Sequence, residues 1–365
     1  MSREPTPSPV AAARGLPDRA VFVVGMPRSG TTLMRVILNS HPDVAMFPGE
    51  FPLWRDVAPA HAHRDLSRAD ERWPLIVALL EHPRVASAGV MLDDQALAAS
   101  LEAEPTVTAG TVFAHALRQY ARQAGKPRWG VKDPRTEFHV DAILTALPAA
   151  GIVHMVRDPR DVLASQRARW GRPAQHIVST VEDWRRSVTL ARLSAHDPTD
   201  PARRGVGPNA YVPVRYEDLV ADPTRIVRDI CHALDLEFDP AMLDVAGTSL
   251  WPPSTMTVGE AATAAEAITD RSVGRHRRDL SAGEMRYIEW KARREMAEWD
   301  YRTEARRGGR ARMARCVLEE IAWRAAQRLR VWPMLARALG RLPSDRDARP
   351  VLERGSGYTR SARQR

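Results

Sequence analysis

Cysteine is scarce in this chain of 365 residues, and long apolar runs are absent. Two distant thiols, Cys231 and Cys316, make no disulfide framework, and neither lies in a cluster of metal-ligand residues, so we expect no metal site. No stretch of about 18 or more apolar residues occurs, which argues against a membrane-spanning helix. Residues 1–19 are rich in Pro and Ala and lack the apolar core of a signal peptide. We therefore expect a disordered N-terminal segment and a cytoplasmic location.

Positive charge is concentrated in one segment. The net charge is +9, yet residues 301–365 alone hold 17 Arg against 6 acidic residues. The rest of the chain is close to neutral, which argues against a nucleic-acid partner. Apolar residues recur at helical spacing between 310 and 339. We interpret 301–365 as a basic helical C-terminal extension with a disordered end; its helix either docks on the body or contacts an anionic membrane surface or a partner.

Three short apolar runs, at 20–24, 152–156 and 211–216, each precede a helical pattern. Such runs, rich in β-branched residues, predict buried parallel strands. The predicted fold class is α/β, with a P-loop-like central parallel β-sheet flanked by helices. Residues 55–125 lack strand patterning and predict a helical cap insertion with turns at Pro74, Pro83 and Pro105; another helix is predicted over 281–299. Ligands of such sheets bind at the carboxyl ends of the strands, so the motifs there should meet at one edge.

The first predicted strand runs into a glycine-rich turn at residues 25–32, which we call the glycine loop. Its two glycines, Gly25 and Gly30, have the G-x-x-x-x-G spacing of a phosphate-binding loop at a helix N-terminus. The Lys-[Ser/Thr] that completes the nucleotide-triphosphatase version is missing, and the cation, Arg28, lies inside the loop. These features are unsuited to Mg-triphosphate and compatible with a phosphosulfate, whose charge Arg28 can neutralise.

The run Pro27-Arg28-Ser29-Gly30-Thr31-Thr32-Leu33-Met34-Arg35 resembles the 5′-phosphosulfate loop of the sulfotransferases that use 3′-phosphoadenosine 5′-phosphosulfate (PAPS). It is most similar to the branch that contains the tyrosylprotein sulfotransferases and many bacterial relatives. The resemblance implies a sulfotransferase domain over 20–300, PAPS as co-substrate and 3′-phosphoadenosine 5′-phosphate (PAP) as product. It also implies donor contacts from six loop residues: Pro27, Arg28, Ser29, Gly30, Thr31 and Thr32.

Three further motifs follow in the order found in this family. Arg157 ends a predicted strand and Ser165 lies eight residues on, a pattern that resembles the family's site for the 3′-phosphate. Tyr216, in Tyr-Glu-Asp-Leu, resembles the tyrosine near the adenine. The segment 271–280 resembles a basic loop that closes over the nucleotide, and we favour Ser272, Gly274 and Arg275 there. Which of its four arginines binds stays open, and a solvated charge run is the other interpretation.

Transfer to a hydroxyl needs a base for the acceptor proton and cations for the developing charge. The resemblance to the tyrosylprotein branch implies Glu50 as the base, with Lys132 and Arg28 as the stabilising cations. Lys132 is one of only three lysines among 54 basic residues, and a compact ammonium suits a crowded sulfuryl oxygen. His139 and His154 are expected to be ordinary packing residues.

Two other classes of protein remain as alternatives: a P-loop nucleotide kinase-like phosphotransferase and a non-catalytic nucleotide- or membrane-binding protein. The kinase would need Gly-Lys-[Ser/Thr] and an acidic residue for Mg²⁺. The non-catalytic protein would not need the full set of candidate catalytic residues. The acceptor is a hydroxyl of open identity, on a peptide tyrosine, a sugar, a lipid or a small metabolite. The sequence does not indicate the oligomeric state of the protein.

Overall fold

The computed structural model describes residues 19–171, 176–195, 210–246, 268–304 and 308–328. The chain divides into two units, Met1–Arg157 with Arg186–Val273, and Asp158–Arg185 with Gly274–Arg365. The first unit holds the β-sheet and the second is helical in its described part. In the described residues, no helix is both long enough and apolar enough to span a membrane.

The first unit is built on a five-stranded parallel sheet with the order β2-β3-β1-β4-β5. The strands are β1 (Val21–Gly25), β2 (Val44–Met46), β3 (Arg128–Lys132), β4 (Gly151–Val156) and β5 (Tyr211–Arg215). The predicted fold class, a parallel sheet flanked by helices, is confirmed. The sequence did not predict β2 and β3, because β2 has only three residues and β3 is interrupted by a glycine.

Alternate residues of β1 enter two different apolar clusters, as the period of a strand requires. Phe22 and Val24 pack on one face of the sheet, with Phe113 and Trp129. Val21 and Val23 pack on the other face, in a cluster with residues of α1 (Thr31–Asn39) and α11 (Pro223–Ala233). A strand buried on both faces reads as a continuous apolar run, which is why β1 was recognisable in the sequence.

Helices fill the chain between β2 and β3, as the sequence predicted. A π-helical turn, Leu53–Val57, leads into α2 (Ala58–Ala60), α3 (Ala69–Leu80), α4 (Pro83–Ala86), α5 (Asp94–Ser100) and α6 (Ala109–Gln123). The turn predicted at Pro74 is wrong, because this residue lies inside α3. Pro83 instead begins α4, where a missing N–H costs nothing. Thr108 and Thr111 form a capping box that begins α6.

The remaining helices of the first unit follow β3 and β5 along the chain. They are α7 (Val140–Ala146), preceded by the 3-10 turn Thr136–His139, then α10 (Tyr216–Ala221) and α11, which is followed by the 3-10 turn Pro240–Leu243. A helix α9 (Ile177–Ala195) supplies residues to both units, its last ten to the first. Each strand end thus leads into a turn or helix at the carboxyl edge of the sheet, where ligands of such folds bind.

The second unit contains α8 (Pro159–Trp170), α12 (His276–Asp279), α13 (Ala282–Lys291), α14 (Arg293–Glu298) and α15 (Arg310–Arg328). The helix predicted over 281–299 is present as α13 and α14, which meet at Ala292. α15 packs on α13, and its Glu320 accepts hydrogen bonds from Tyr287 and Lys291. Leu318 and Ile321 of α15 are exposed. The rest of the predicted C-terminal extension, from 329, and the N-terminal segment 1–18 lie outside the described residues.

Candidate active site

The glycine loop turns sharply between β1 and α1. Three of its residues have positive φ: Gly25 at 127°, Arg28 at 75° and Gly30 at 92°. The backbone N–H of Ser29 donates to the Met26 carbonyl at 3.1 Å, which closes the turn. No side chain caps α1, and its first turn holds no acidic residue. The positive end of the helix dipole therefore faces no protein carboxylate in its own first turn, as an anion site requires.

Arg157 links the glycine loop to two other predicted donor-binding residues. Its guanidinium donates to the carbonyl of Arg28 at 3.0 Å and to the carbonyl of Ser272 at 2.5 Å. It also lies over the ring of Tyr216, 4.4 Å from the centroid. That ring in turn packs on Gly30, where an added Cβ would be 2.5 Å from a Tyr216 ring carbon. Five residues predicted from four separate motifs therefore meet at the carboxyl ends of β1, β4 and β5.

The other predicted donor-binding residues belong to the second unit. Ser165 is buried on α8. Gly274 has φ 73° and donates its N–H to Asp161 at 2.7 Å. Arg275 pairs with Asp279 at 2.9 Å, so its charge is neutralised locally. Asp161, in the first turn of α8, accepts hydrogen bonds from the backbone N–H groups of Gly274 and His276 and so fixes the loop before α12.

The predicted base and its cation form an ion pair in the first unit. Nζ of Lys132, at the end of β3, lies 3.0 Å from Oε1 of Glu50, in the loop that follows β2. The guanidinium of Arg84, on α4, pairs with the other carboxylate oxygen. Gly49 allows this approach, because a Cβ there would be 2.8 Å from the Arg84 carbonyl oxygen. Glu50 is thus held from both sides by cations.

The two cations decide the charge of Glu50. Burial raises the pKa of this carboxyl, but Lys132 and Arg84, by charge and hydrogen bonding, more than offset burial and hold the pKa below its ordinary value. Burial lowers the pKa of Lys132, and Glu50 opposes that effect. Lys132 is not an ordinary surface lysine, since its side chain is only 3% exposed. Near neutral pH, Glu50 is a carboxylate that can accept a proton.

A model of the sulfotransferase family matches residues 20–240, which include β1 to β5 and the glycine loop. The chain belongs to the sulfotransferase family. The nodulation protein NoeE of Sinorhizobium fredii is similar, with 27% identity over 68% of this chain and 54% of NoeE. Protein-tyrosine sulfotransferase 1 of Danio rerio is 27% identical over 61% of this chain and 55% of its own. The match thus spans about half the length of each of these two relatives.

The fold of this sulfotransferase-family chain also occurs in a solved structure. It is the sulfotransferase domain of the olefin synthase from Synechococcus PCC 7002, with a TM-score of 0.52 and 23% identity. The likeness covers 79% of this chain and 96% of that domain. It supports the assignment of the fold.

Sequence reasoning missed several charged residues of the site. Arg84, on α4, has no motif around it, and only the fold brings it to Glu50. Asp133 and Arg55 pair at 3.3 Å beside Lys132. Burial raises the pKa of Asp133 to about 6 against the opposing charge of Arg55. Asp133 directly follows Lys132 in the sequence, but its pairing with Arg55 depends on the fold.

Neither candidate histidine behaves as a free base. His154 is fully buried and lies within hydrogen-bond distance of Tyr211 and Ser187. Burial lowers its pKa to about 3, so the ring is neutral. His139 ends the turn before α7, and burial lowers its pKa as well. Among the described residues, no group of three His, Cys, Asp or Glu side chains is arranged to hold a metal ion.

Proposed function

We propose that this chain transfers the sulfuryl group of PAPS to a hydroxyl of an acceptor. The observation that carries the proposal is the convergence on Arg157 of the glycine loop, the Tyr216 ring and Ser272. A guanidinium next to an aromatic ring and a glycine-rich anion loop suits a nucleotide that carries phosphates and a base. Family membership supports the reaction class.

The glycine loop fits the phosphosulfate of the donor. The hydroxyl of Ser29 is buried and has no hydrogen-bond partner among the described residues, as expected of a group that binds a ligand. We assign the 5′-phosphosulfate to the loop residues Pro27, Arg28, Ser29, Gly30, Thr31 and Thr32. We assign the adenine to Tyr216, and the 3′-phosphate to Arg157 and Ser272 of the first unit. Ser165, Gly274 and Arg275 of the second unit stay predicted contacts of the 3′-phosphate; of these, Gly274 and Arg275 would have to exchange their present partners, Asp161 and Asp279, for the phosphate.

The Glu50–Lys132 pair fits the transfer step. Glu50 takes the proton of the acceptor hydroxyl as the acceptor oxygen forms its bond to sulfur. The bond from sulfur to the bridging phosphate oxygen breaks, and PAP leaves with that electron pair. Lys132 and Arg28 stabilise the charge on the sulfuryl and leaving-group oxygens. When the ammonium of Lys132 binds these oxygens, it stabilises the ionised form of Glu50 less. The carboxylate then becomes a stronger base.

Nucleotide-dependent thermal stability tests the donor assignment. PAP should raise the melting temperature of the full chain, and ATP with Mg²⁺ should raise it much less. Arg157→Met should abolish the PAP effect, whereas Arg315→Met, on the outer surface of α15, should not. Stabilisation only by ATP with Mg²⁺ would instead favour the kinase-like alternative. PAP binding without transfer to any acceptor would favour a non-catalytic protein.

The acceptor is a hydroxyl compound whose class the cap must select. The Danio rerio relative is named for protein tyrosine, and NoeE is a nodulation protein. At 27% identity neither fixes the acceptor of this chain. Labelled PAPS incubated with fractionated host extract would identify the acceptor, with Glu50→Gln as the control that should bind PAP yet label the acceptor far more slowly.

A further inference from the structure

A buried carboxyl lies at the base of the glycine loop and has no part in the transfer step. Glu137, in the 3-10 turn after β3, is fully enclosed, with 2% of its surface exposed. Its Oε2 accepts a hydrogen bond from the backbone N–H of Gly25 at 3.2 Å. Gly25 is the last residue of β1 and turns the chain into the loop with a positive φ. Glu137 therefore contacts the entrance of the loop directly.

A chain of hydrogen bonds fixes this carboxyl from the other side. Oε1 of Glu137 accepts from the Ser187 hydroxyl of α9 at 2.9 Å. That hydroxyl lies 3.0 Å from Nε2 of His154, whose Nδ1 lies 2.5 Å from the hydroxyl of Tyr211. One proton assignment satisfies all contacts: Tyr211 donates to Nδ1, Nε2–H donates to Ser187, and Ser187 donates to the carboxylate. The geometry thus couples the loop entrance to β4, β5 and α9.

The electrostatic surroundings keep the carboxyl close to its titration point. Arg135, just before the turn, favours the ionised form of Glu137, while His154 on β4 is neutral. The guanidinium of Arg186, on α9, lies over the ring of Phe138, 5.0 Å from its centroid. Burial outweighs the hydrogen bonds and Arg135, and raises the pKa of Glu137 to about 7. A small change in local charge therefore changes its protonation near neutral pH.

We propose that Glu137 is a positioning residue for the glycine loop and that it takes up a proton when an anionic donor binds there. The inference rests on the proposed function, because the anion is the donor's phosphosulfate. A negative charge on the loop disfavours a second one a single hydrogen bond away, so binding favours the protonated acid. The protonated carboxyl still accepts from Gly25 through its carbonyl oxygen. It can donate its proton to Ser187, whose oxygen has two acceptor lone pairs.

Calorimetric titration of the full chain with PAP, in two buffers of different ionisation enthalpy at pH 7, measures the protons taken up. PAP's own phosphates titrate in every sample, so the difference between wild type and Glu137→Gln isolates this residue. If PAP binding raises the pKa of Glu137 by about one, the wild type takes up roughly 0.4 proton more than the variant. For the same shift, the PAP affinity of the wild type also falls about fivefold more than that of the variant between pH 6 and pH 8. Glu104→Gln, which alters a carboxyl paired with His115 in the cap, is the matched control and should behave as wild type.

The outcomes separate this inference from the donor assignment. Equal proton uptake and parallel pH dependence in wild type and Glu137→Gln would overturn the role of Glu137 alone. No PAP binding by the wild type at any pH would overturn the donor assignment and this inference together. A purely structural role would lower the affinity equally at every pH, which also contradicts the proposal. Ser187→Ala gives a second test if Glu137→Gln does not fold: loss of its hydrogen bond should move the fall in affinity to higher pH, and an unchanged midpoint would refute the coupling.

Discussion

Two cations hold the Glu50 carboxylate, and the structure predicts that they contribute unequally to stability. The Lys132 side chain is 3% exposed, Glu50 is 18% exposed and Arg84 is 51% exposed. Removal of one partner from a buried ion pair typically costs about 3–5 kcal/mol, whereas an exposed pair contributes about 0.2–1 kcal/mol. Glu50 keeps Arg84 when Lys132 is removed, so we expect about 3 kcal/mol for Lys132→Met, the low end. For Arg84→Met we expect at most about 1 kcal/mol.

Urea unfolding followed by tryptophan fluorescence measures these costs, because Trp129 is buried on β3, the strand that ends at Lys132. Methionine keeps the apolar stem of lysine and removes only the charge. The double variant Lys132→Met with Glu50→Gln removes both charges of the buried pair and should recover part of the stability lost in Lys132→Met. Equal costs for Lys132→Met and Arg84→Met would refute this account of the pair. So would a double variant whose loss of stability equals the sum of the losses of Lys132→Met alone and Glu50→Gln alone.

Three further predictions concern the base, the loop and a buried acid. Glu50→Gln should lower the rate of sulfuryl transfer by roughly 10²–10⁴-fold in a single-turnover assay and leave PAP affinity within a few-fold. Gly30→Ala should cost about 1–3 kcal/mol in urea unfolding and weaken PAP binding, because φ is 92° and the new Cβ would be 2.5 Å from the Tyr216 ring; unchanged binding would contradict this packing. Because burial raises the pKa of Glu137 to about 7, the folded state binds its proton more tightly than the unfolded chain. Its contribution to stability should therefore be present below the carboxyl's ordinary pKa and lost as pH rises to about 7, and melting curves of Glu137→Gln should lack that component.

The sheet could be predicted, and the residues of the proposed donor site could be selected, largely because each depends on local sequence. The strands β1 and β4 are buried on both faces, so their apolar runs stand out. The glycine loop needs positive φ at Gly25 and Gly30, and glycine is the residue that adopts positive φ without steric cost, so the residue types indicate the turn. Arg157 and Tyr216 follow strands directly, and parallel topology alone brings strand ends together.

Other features could not be predicted, because they depend on contacts between segments distant in sequence. Arg84 reaches Glu50 only through the packing of α4 on Gly49. Glu137 resembles an ordinary surface acid in the sequence, and only the sheet places it under Gly25. Proline usually breaks a helix, because it lacks the N–H and its ring clashes with the preceding turn. Pro74 nevertheless lies inside α3, since packing by the surrounding structure can override this preference.

The central claim is that Glu50 deprotonates an acceptor in front of a donor bound by the glycine loop. Its most direct test is a single-turnover reaction of the full chain with labelled PAPS and an acceptor-containing fraction of host extract. We predict that wild type transfers the label to an acceptor and releases PAP, while Glu50→Gln binds PAP with similar affinity and transfers the label at least roughly 100-fold more slowly. Full transfer by Glu50→Gln would contradict the account.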